Sequence, residues 1–117
     1  MPWTNLAAYF FGGACLANSV PHLVAGVSGR SFHSPFANPP FRGFSPPGVN
    51  VGWALFNLAV AYLLLLHVGR FDPRSFLHAG FGFAGFGLMG LQCARAVVRM
   101  RSERATGPTR ASGTYLG

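Results

Sequence analysis

The stretch LAAYFFGGACLANSVPHLVAGV, from Leu6 to Val27, decides the fold class of this chain. Its 22 residues carry no charge, and as a helix they would measure about 33 Å, enough to cross a bilayer core of about 30 Å. A polar break, Asn18-Ser19-Val20-Pro21-His22, interrupts this apolar run. Because Pro21 has no N–H to donate to the Ala17 carbonyl, we predict that this first transmembrane helix is kinked.

The composition of the whole chain agrees with a membrane location. Of its 117 residues, 50% are hydrophobic and only 9% are charged, whereas a soluble domain carries about 25% charged residues. Two further apolar runs, residues 50–68 and 76–94, are long enough to cross a bilayer. We therefore predict an all-α integral membrane protein with three transmembrane helices, which form a single membrane domain over residues 1–101.

The segments outside the three spans have distinct compositions. Residues 28–49 contain five prolines, which exclude a helix or a central strand, and a phenylalanine recurs every three to five residues. We predict an interfacial loop whose rings dip into the membrane while Arg30 and Arg42 face headgroups; a partner-binding or pore-covering loop is the alternative. The short turn at residues 69–74 predicts that spans two and three are antiparallel neighbours. Residues 102–117 read as a polar, disordered cytoplasmic tail.

The charge distribution predicts an orientation. The net charge is +7 and all nine basic residues are arginines. Five of them lie from Arg95 onward, beside an apolar run, which is the pattern of positive-inside topology rather than of nucleic-acid binding. The loop and tail side holds seven arginines and the opposite side only Arg70 and Arg74. We predict a multi-pass protein of the plasma (bacterial inner) membrane with its N-terminus outside and its C-terminus cytoplasmic, in contact with lipids and not with nucleic acid.

The third span is rich in glycine. Gly80-Phe81-Gly82-Phe83-Ala84-Gly85 matches the dinucleotide pattern G-x-G-x-x-G, but that motif needs a preceding strand, so we regard the match as a false positive. Gly80, Ala84, Gly87 and Ala94 lie near one helix face, and such small-residue faces let helices approach closely in lipid. We predict that this face packs against another helix, either within this chain or in an oligomer.

A depth count places several polar side chains at similar levels. At 1.5 Å per residue, Asn18 lies about 18 Å from the outer face and Asn57 about 20 Å, while His22 and Gln92 both lie about 24 Å deep. Together with Ser19, these residues are predicted to form a polar intramembrane cluster. One interpretation is interhelical hydrogen bonding, worth about 0.6 kcal/mol per bond. The other is a ligand or conduction site, because ionisable groups such as His22 are costly inside a membrane.

Other chemistry is sparse. Cys15 and Cys93 differ by about 12 Å in depth, so we predict no disulfide. His67 and His78 lie near the outer interface; we interpret both as snorkelling side chains, with a bis-histidine haem site as the alternative. No span contains a carboxylate relay or a known catalytic motif. We predict a protein that is not an enzyme and has no cofactor or metal.

Two functional hypotheses remain. The first is a structural or accessory subunit that joins a homo-oligomer or a larger membrane complex through its glycine-rich helix face. The second is a membrane-embedded binding or conduction site for a small polar ligand, quinone, ion or haem, built around His22, Asn18, Asn57 and Gln92.

Overall fold

The computed structural model describes residues 3–41 and 43–105 of the chain. Helix α1 spans Trp3–Val27, α2 spans Pro47–Tyr62 and continues as a π-helical segment over Leu63–Val68, and α3 spans Phe76–Ala105. All three are long and apolar enough to cross a membrane. This confirms the prediction of a mostly helical chain with three candidate spans. Arg42, Arg110 and most of the predicted polar tail, residues 106–117, lie outside the described residues.

The predicted spans and the helices share the ends Val27 and Val68 and the start Phe76, whereas the other three helix ends lie outside the predicted bounds. Helix α2 begins at Pro47 rather than Asn50, because a proline at the first helical position has a suitable φ and needs no partner for an N–H. Helix α3 continues past residue 94 and past the predicted domain end at 101, since its arginine-bearing segment still consists mainly of good helix formers. Helix α1 begins at Trp3 rather than Leu6 and includes Pro21 in its interior. The kink at Pro21 stays a prediction.

Helix α1 lies in the middle of the bundle and packs against both other helices, whereas α2 and α3 hardly touch in the described part of the chain. The prediction that spans two and three are neighbours is therefore wrong. The reason lies in two adjacent glycines of α1, whose directions differ by about 100°. A Cβ on Gly12 would lie 2.6 Å from Cγ of Leu65, and one on Gly13 would lie 2.1 Å from the Gly82 carbonyl oxygen. Because α1 carries small residues on two sides, two helices can pack closely against it.

The loop between α1 and α2 contains a short antiparallel ladder. Strands β1, Phe32–His33, and β2, Phe44–Ser45, pair Phe32 with Ser45 and His33 with Phe44. The ladder adds two short strands to a segment that the sequence predicts to be an interfacial loop. The ladder is compatible with five prolines because none of them lies within either strand. The immersion of the loop's phenylalanine rings in a membrane stays a prediction, although Phe36 and Phe41 are exposed.

At the other end of the bundle, Tyr9 of α1 fixes the turn that precedes α3. Its side chain is completely buried, and its hydroxyl donates a hydrogen bond to the Gly69 carbonyl. The Tyr9 ring also contacts Phe71 edge-on at 5.5 Å and His78 at 4.2 Å between ring centroids. Gly69 has to be small here, because an added Cβ would lie 2.4 Å from Cε1 of Tyr9.

Candidate functional site

A chain of hydrogen bonds links the three helices near the middle of the bundle. The Asn18 amide nitrogen donates to the Asn57 side-chain oxygen at 3.1 Å, and the Asn57 amide nitrogen donates to the Trp53 carbonyl at 2.9 Å. The Cys93 thiol contacts the Asn18 side-chain oxygen at 3.6 Å. Hydrogen-bond donation therefore runs from the Cys93 thiol of α3 to Asn18 of α1, and from Asn18 to Asn57 of α2.

A second network joins α1 to α2 and to the loop. The Nδ1 atom of His22 lies 2.8 Å from the side-chain oxygen of Asn50. The Asn50 amide nitrogen faces the backbone carbonyls of Phe32 at 3.2 Å, Ser45 at 3.1 Å and Pro46 at 3.4 Å. Asn50 is fully buried. One side chain therefore holds both strands of the ladder and the start of α2 against the first helix.

The surroundings of Asn50 fix the protonation pattern of the His22 ring. Three carbonyl oxygens can be satisfied only by the NH₂ end of the Asn50 amide, so its oxygen end must face His22. An amide oxygen accepts hydrogen bonds, and Nδ1 of the imidazole must therefore carry the hydrogen. In a neutral imidazole the other nitrogen, Nε2, is then an acceptor.

The His22 ring borders a cavity of about 340 Å³ between α1, α3 and the loop. Its lining includes Asn18, His22, Phe32, Trp53, Gln92 and Cys93. His22 meets Phe32 and Trp53 edge-on, with ring centroids 5.5 Å and 6.4 Å apart. The cavity therefore combines aromatic walls with a few polar groups at one end, which is the usual composition of a small-molecule site.

Comparisons with family models, with curated proteins and with solved structures find no match to this chain.

The structure brings some members of the predicted polar cluster together and leaves others apart. Asn18 and Asn57 are bonded directly, and His22 and Gln92 border the same cavity. Ser19 does not join them, because its hydroxyl donates to the Leu16 carbonyl of its own helix at 2.6 Å. Gln92 is exposed, and the neighbouring Cys93 makes the contact with α1 instead.

The sequence analysis also missed Asn50 as a member of the site. Its spacing of seven residues from Asn57 places both amides on the same face of α2, and that signal was available in the sequence. Its carbonyl partners in the loop could not be anticipated, because backbone acceptors carry no residue-specific signature.

The predicted small-residue face of α3 points away from α1. Gly80, Ala84, Gly87 and Ala94 are all exposed, and a Cβ on Gly80 or Gly87 would meet nothing within 4 Å. The contact with α1 is made on the opposite side of α3, where a Cβ on Gly85 would lie 1.8 Å from the Phe10 carbonyl oxygen. Packing of the predicted face against another chain stays a prediction.

The two histidines predicted to lie near the outer interface, His67 and His78, have different ring partners. His67 contacts Tyr62 at 5.3 Å between centroids, whereas Nδ1 of His78 accepts the Asp72 backbone N–H at 3.0 Å while the ring lies against Tyr9. Cys15 and Cys93 are both free thiols. Among the described residues, no group of three or more His, Cys, Asp or Glu side chains is arranged to hold a metal ion.

Proposed function

We propose that this chain is a multi-pass membrane protein that serves as a structural or accessory subunit, and that it associates with another copy or another membrane protein through α3. The observation that carries this proposal is the direction of Gly80, Ala84, Gly87 and Ala94. These four small residues lie on the side of α3 opposite to the α1 contact and are exposed. In lipid, such a face favours close packing with another helix.

The internal hydrogen bonds support a structural role for the polar residues. Asn18, Asn57 and Asn50 all find partners within the chain, so these groups hold the three helices in register. A unit held together in this way can present α3 as a rigid surface, which lowers the entropic cost of association.

We also propose that the N-terminus is outside and the C-terminal end of α3 is cytoplasmic in a plasma membrane. A recess of about 350 Å³ is lined by both Arg30 and Arg101, so arginines of the loop and of α3 gather at one end of the bundle. Arg70 and Arg74 lie in the turn at the other end, beside Asp72. An excess of arginine on one side supports a cytoplasmic location for that side.

The subunit proposal is tested by replacing Gly87 with isoleucine and measuring association in lipid. Gly52→Ile on α2 is a matched control, because a Cβ there also meets nothing within 4 Å. We expect fluorescence-labelled wild-type chains to associate in liposomes, or to co-purify with a defined membrane partner. Gly87→Ile should weaken that association about tenfold or more, the size of a disrupted small-residue interface, and Gly52→Ile should not. A wild-type chain that is monomeric in lipid and co-purifies with nothing would refute the proposal.

A further inference from the structure

The cavity beside His22 is mainly apolar, and the His22 imidazole is one of the few polar groups that border it. His22 is more than nine-tenths buried, and its Nδ1 atom lies 2.8 Å from the side-chain oxygen of Asn50. The nitrogen left for a ligand in the cavity is therefore Nε2, which in the neutral ring accepts a hydrogen bond and does not donate one. We propose that this cavity binds an uncharged membrane amphiphile through a ring hydroxyl, which donates its hydrogen to Nε2 of His22.

The charge of the lining supports an uncharged ligand. The residues that border the cavity include Asn18, Gln92 and Cys93 but no Asp, Glu, Lys or Arg among those that the structure describes. A charged headgroup would enter without a counter-charge, and burying an unpaired charge is very costly. A hydroxyl needs only a neutral acceptor, and the exposed amide of Gln92 can bond a second polar atom on the same ring.

The walls support a flat ring with an apolar tail. Phe32 and Trp53 present their rings edge-on to His22, and Met89 and Met100 of α3 line the cavity as well. Aromatic side chains pack favourably against another ring, either offset-stacked or edge to face, and thioethers adapt to irregular apolar shapes. A volume of about 340 Å³ lies near the lower end of the range for ligand sites. It holds a ring, and a long tail would extend into the surrounding lipid.

The chain provides its own probe of this site. It contains two tryptophans, Trp3 and Trp53; Trp3 is 75% exposed near the N-terminus, whereas Trp53 borders the cavity. In a Trp3→Phe background reconstituted in lipid nanodiscs, Trp53 fluorescence reports occupancy. The two ligands to titrate are para-dodecylphenol and its methyl ether, which have the same ring and tail but differ in the hydroxyl hydrogen.

We expect the phenol to bind about tenfold more tightly than the ether, which is the effect of one hydrogen bond to a buried acceptor. His22→Phe should bring the two affinities together, and comparing each ligand between the two proteins cancels its partitioning into lipid. Helical circular dichroism verifies that the His22 variant is folded.

A second variant leaves the His22–Asn50 pair intact. Ala96→Phe fills the cavity from α3, and it should weaken both ligands about tenfold or more. Val98→Phe is its control, because Val98 is 67% exposed and lies about 200° around the helix from Ala96. Equal wild-type affinities for phenol and ether, no response of Trp53, or unchanged binding by Ala96→Phe would each overturn the proposal.

A lipid quinol and a simple membrane phenol carry the same donor group, and one further pair of ligands distinguishes them. A short-tailed quinol is titrated under reducing conditions and compared with its oxidised quinone, whose carbonyls cannot donate to Nε2. Tight binding of the quinol alone identifies the quinol as the ligand type. If the alkylphenol binds and the quinol does not, the proposal is also supported, and the ligand type is a simple phenol. Preference for the quinone over the quinol would contradict it.

Discussion

The Nδ1 atom of His22 and the side-chain oxygen of Asn50 lie 2.8 Å apart, and this contact connects the first helix to a residue that also binds three loop carbonyls. The pair is therefore both a structural tie and the contact that occupies Nδ1 of His22, which leaves Nε2 as the ring nitrogen for a ligand. Removing Asn50 should affect the stability of the fold and the chemistry of the cavity together.

The first prediction concerns Asn50→Leu. Leucine is similar in size but leaves His22 Nδ1 without its acceptor and removes the amide donor from the carbonyls of Phe32 and Ser45. We therefore expect a loss of about 2–4 kcal/mol in the free energy of unfolding. Thermal or denaturant unfolding in detergent, followed by circular dichroism, measures this loss. Asn5→Leu on α1 is the control, because Asn5 is only partly buried and lies outside the network. Equal stability of the two variants would contradict the role assigned to Asn50.

The second prediction is a coupling between Asn18 and Asn57. Their amides are 3.1 Å apart, and a double-mutant cycle with Asn18→Leu and Asn57→Leu should give a coupling energy of about 0.6 kcal/mol and at most about 1.7 kcal/mol. Steric trapping in bicelles provides the necessary precision. Strictly additive effects of the two substitutions would show that the contact contributes nothing to stability.

The depth count predicted one contact between polar residues correctly, but it did not predict every depth closely, and it could not predict the rotation of each residue about its helix axis. A rise of 1.5 Å per residue correctly placed Asn18 opposite Asn57. The same count placed Gln92 at the level of His22, and both border one cavity. It placed Cys93 about 8 Å from the level of Asn18, although these two side chains are 3.6 Å apart. One residue changes the depth by only 1.5 Å but changes the direction by about 100°, so a depth count alone cannot choose between neighbours.

The contact face of α3 was ambiguous for a similar reason. Glycines occur on opposite sides of this helix, Gly80 and Gly87 on one and Gly82 and Gly85 on the other. Small-residue spacing identifies both sides as suitable for packing, and only the three-dimensional structure shows that α1 uses the second. The central position of α1 was not predicted, although Gly12 and Gly13 carried a signal for it, because adjacent glycines permit close approach on two sides at once.

The third prediction compares two glycines of α3. A Cβ on Gly85 would lie 1.8 Å from the Phe10 carbonyl oxygen, whereas one on Gly87 would meet nothing within 4 Å. Gly85→Ala should therefore separate α1 from α3 and lower the free energy of unfolding by about 1–3 kcal/mol or more. Gly87→Ala should be neutral or stabilising by up to about 1 kcal/mol, because alanine is the better helix former. Unfolding in detergent measures both, and a reversed order would show that α3 packs through its other face.

The last prediction concerns the buried hydroxyl of Tyr9, which donates to the Gly69 carbonyl. Tyr9→Phe keeps the ring contacts with Phe71 and His78 but leaves that carbonyl without its donor, so we expect a loss of about 1–3 kcal/mol in the free energy of unfolding. The turn should loosen first, because the carbonyl that loses its donor belongs to Gly69, within the turn. The Phe71 N–H, which bonds to the Leu65 carbonyl at 2.6 Å in the same connection, should then exchange faster. Hydrogen exchange followed by mass spectrometry should show faster exchange over residues 69–75. Tyr62→Phe is the matched control, since Tyr62 is 54% exposed. Exchange in the turn that is unchanged by Tyr9→Phe, or equally accelerated by Tyr62→Phe, would mean that the turn is held by its own backbone hydrogen bonds and not by the first helix.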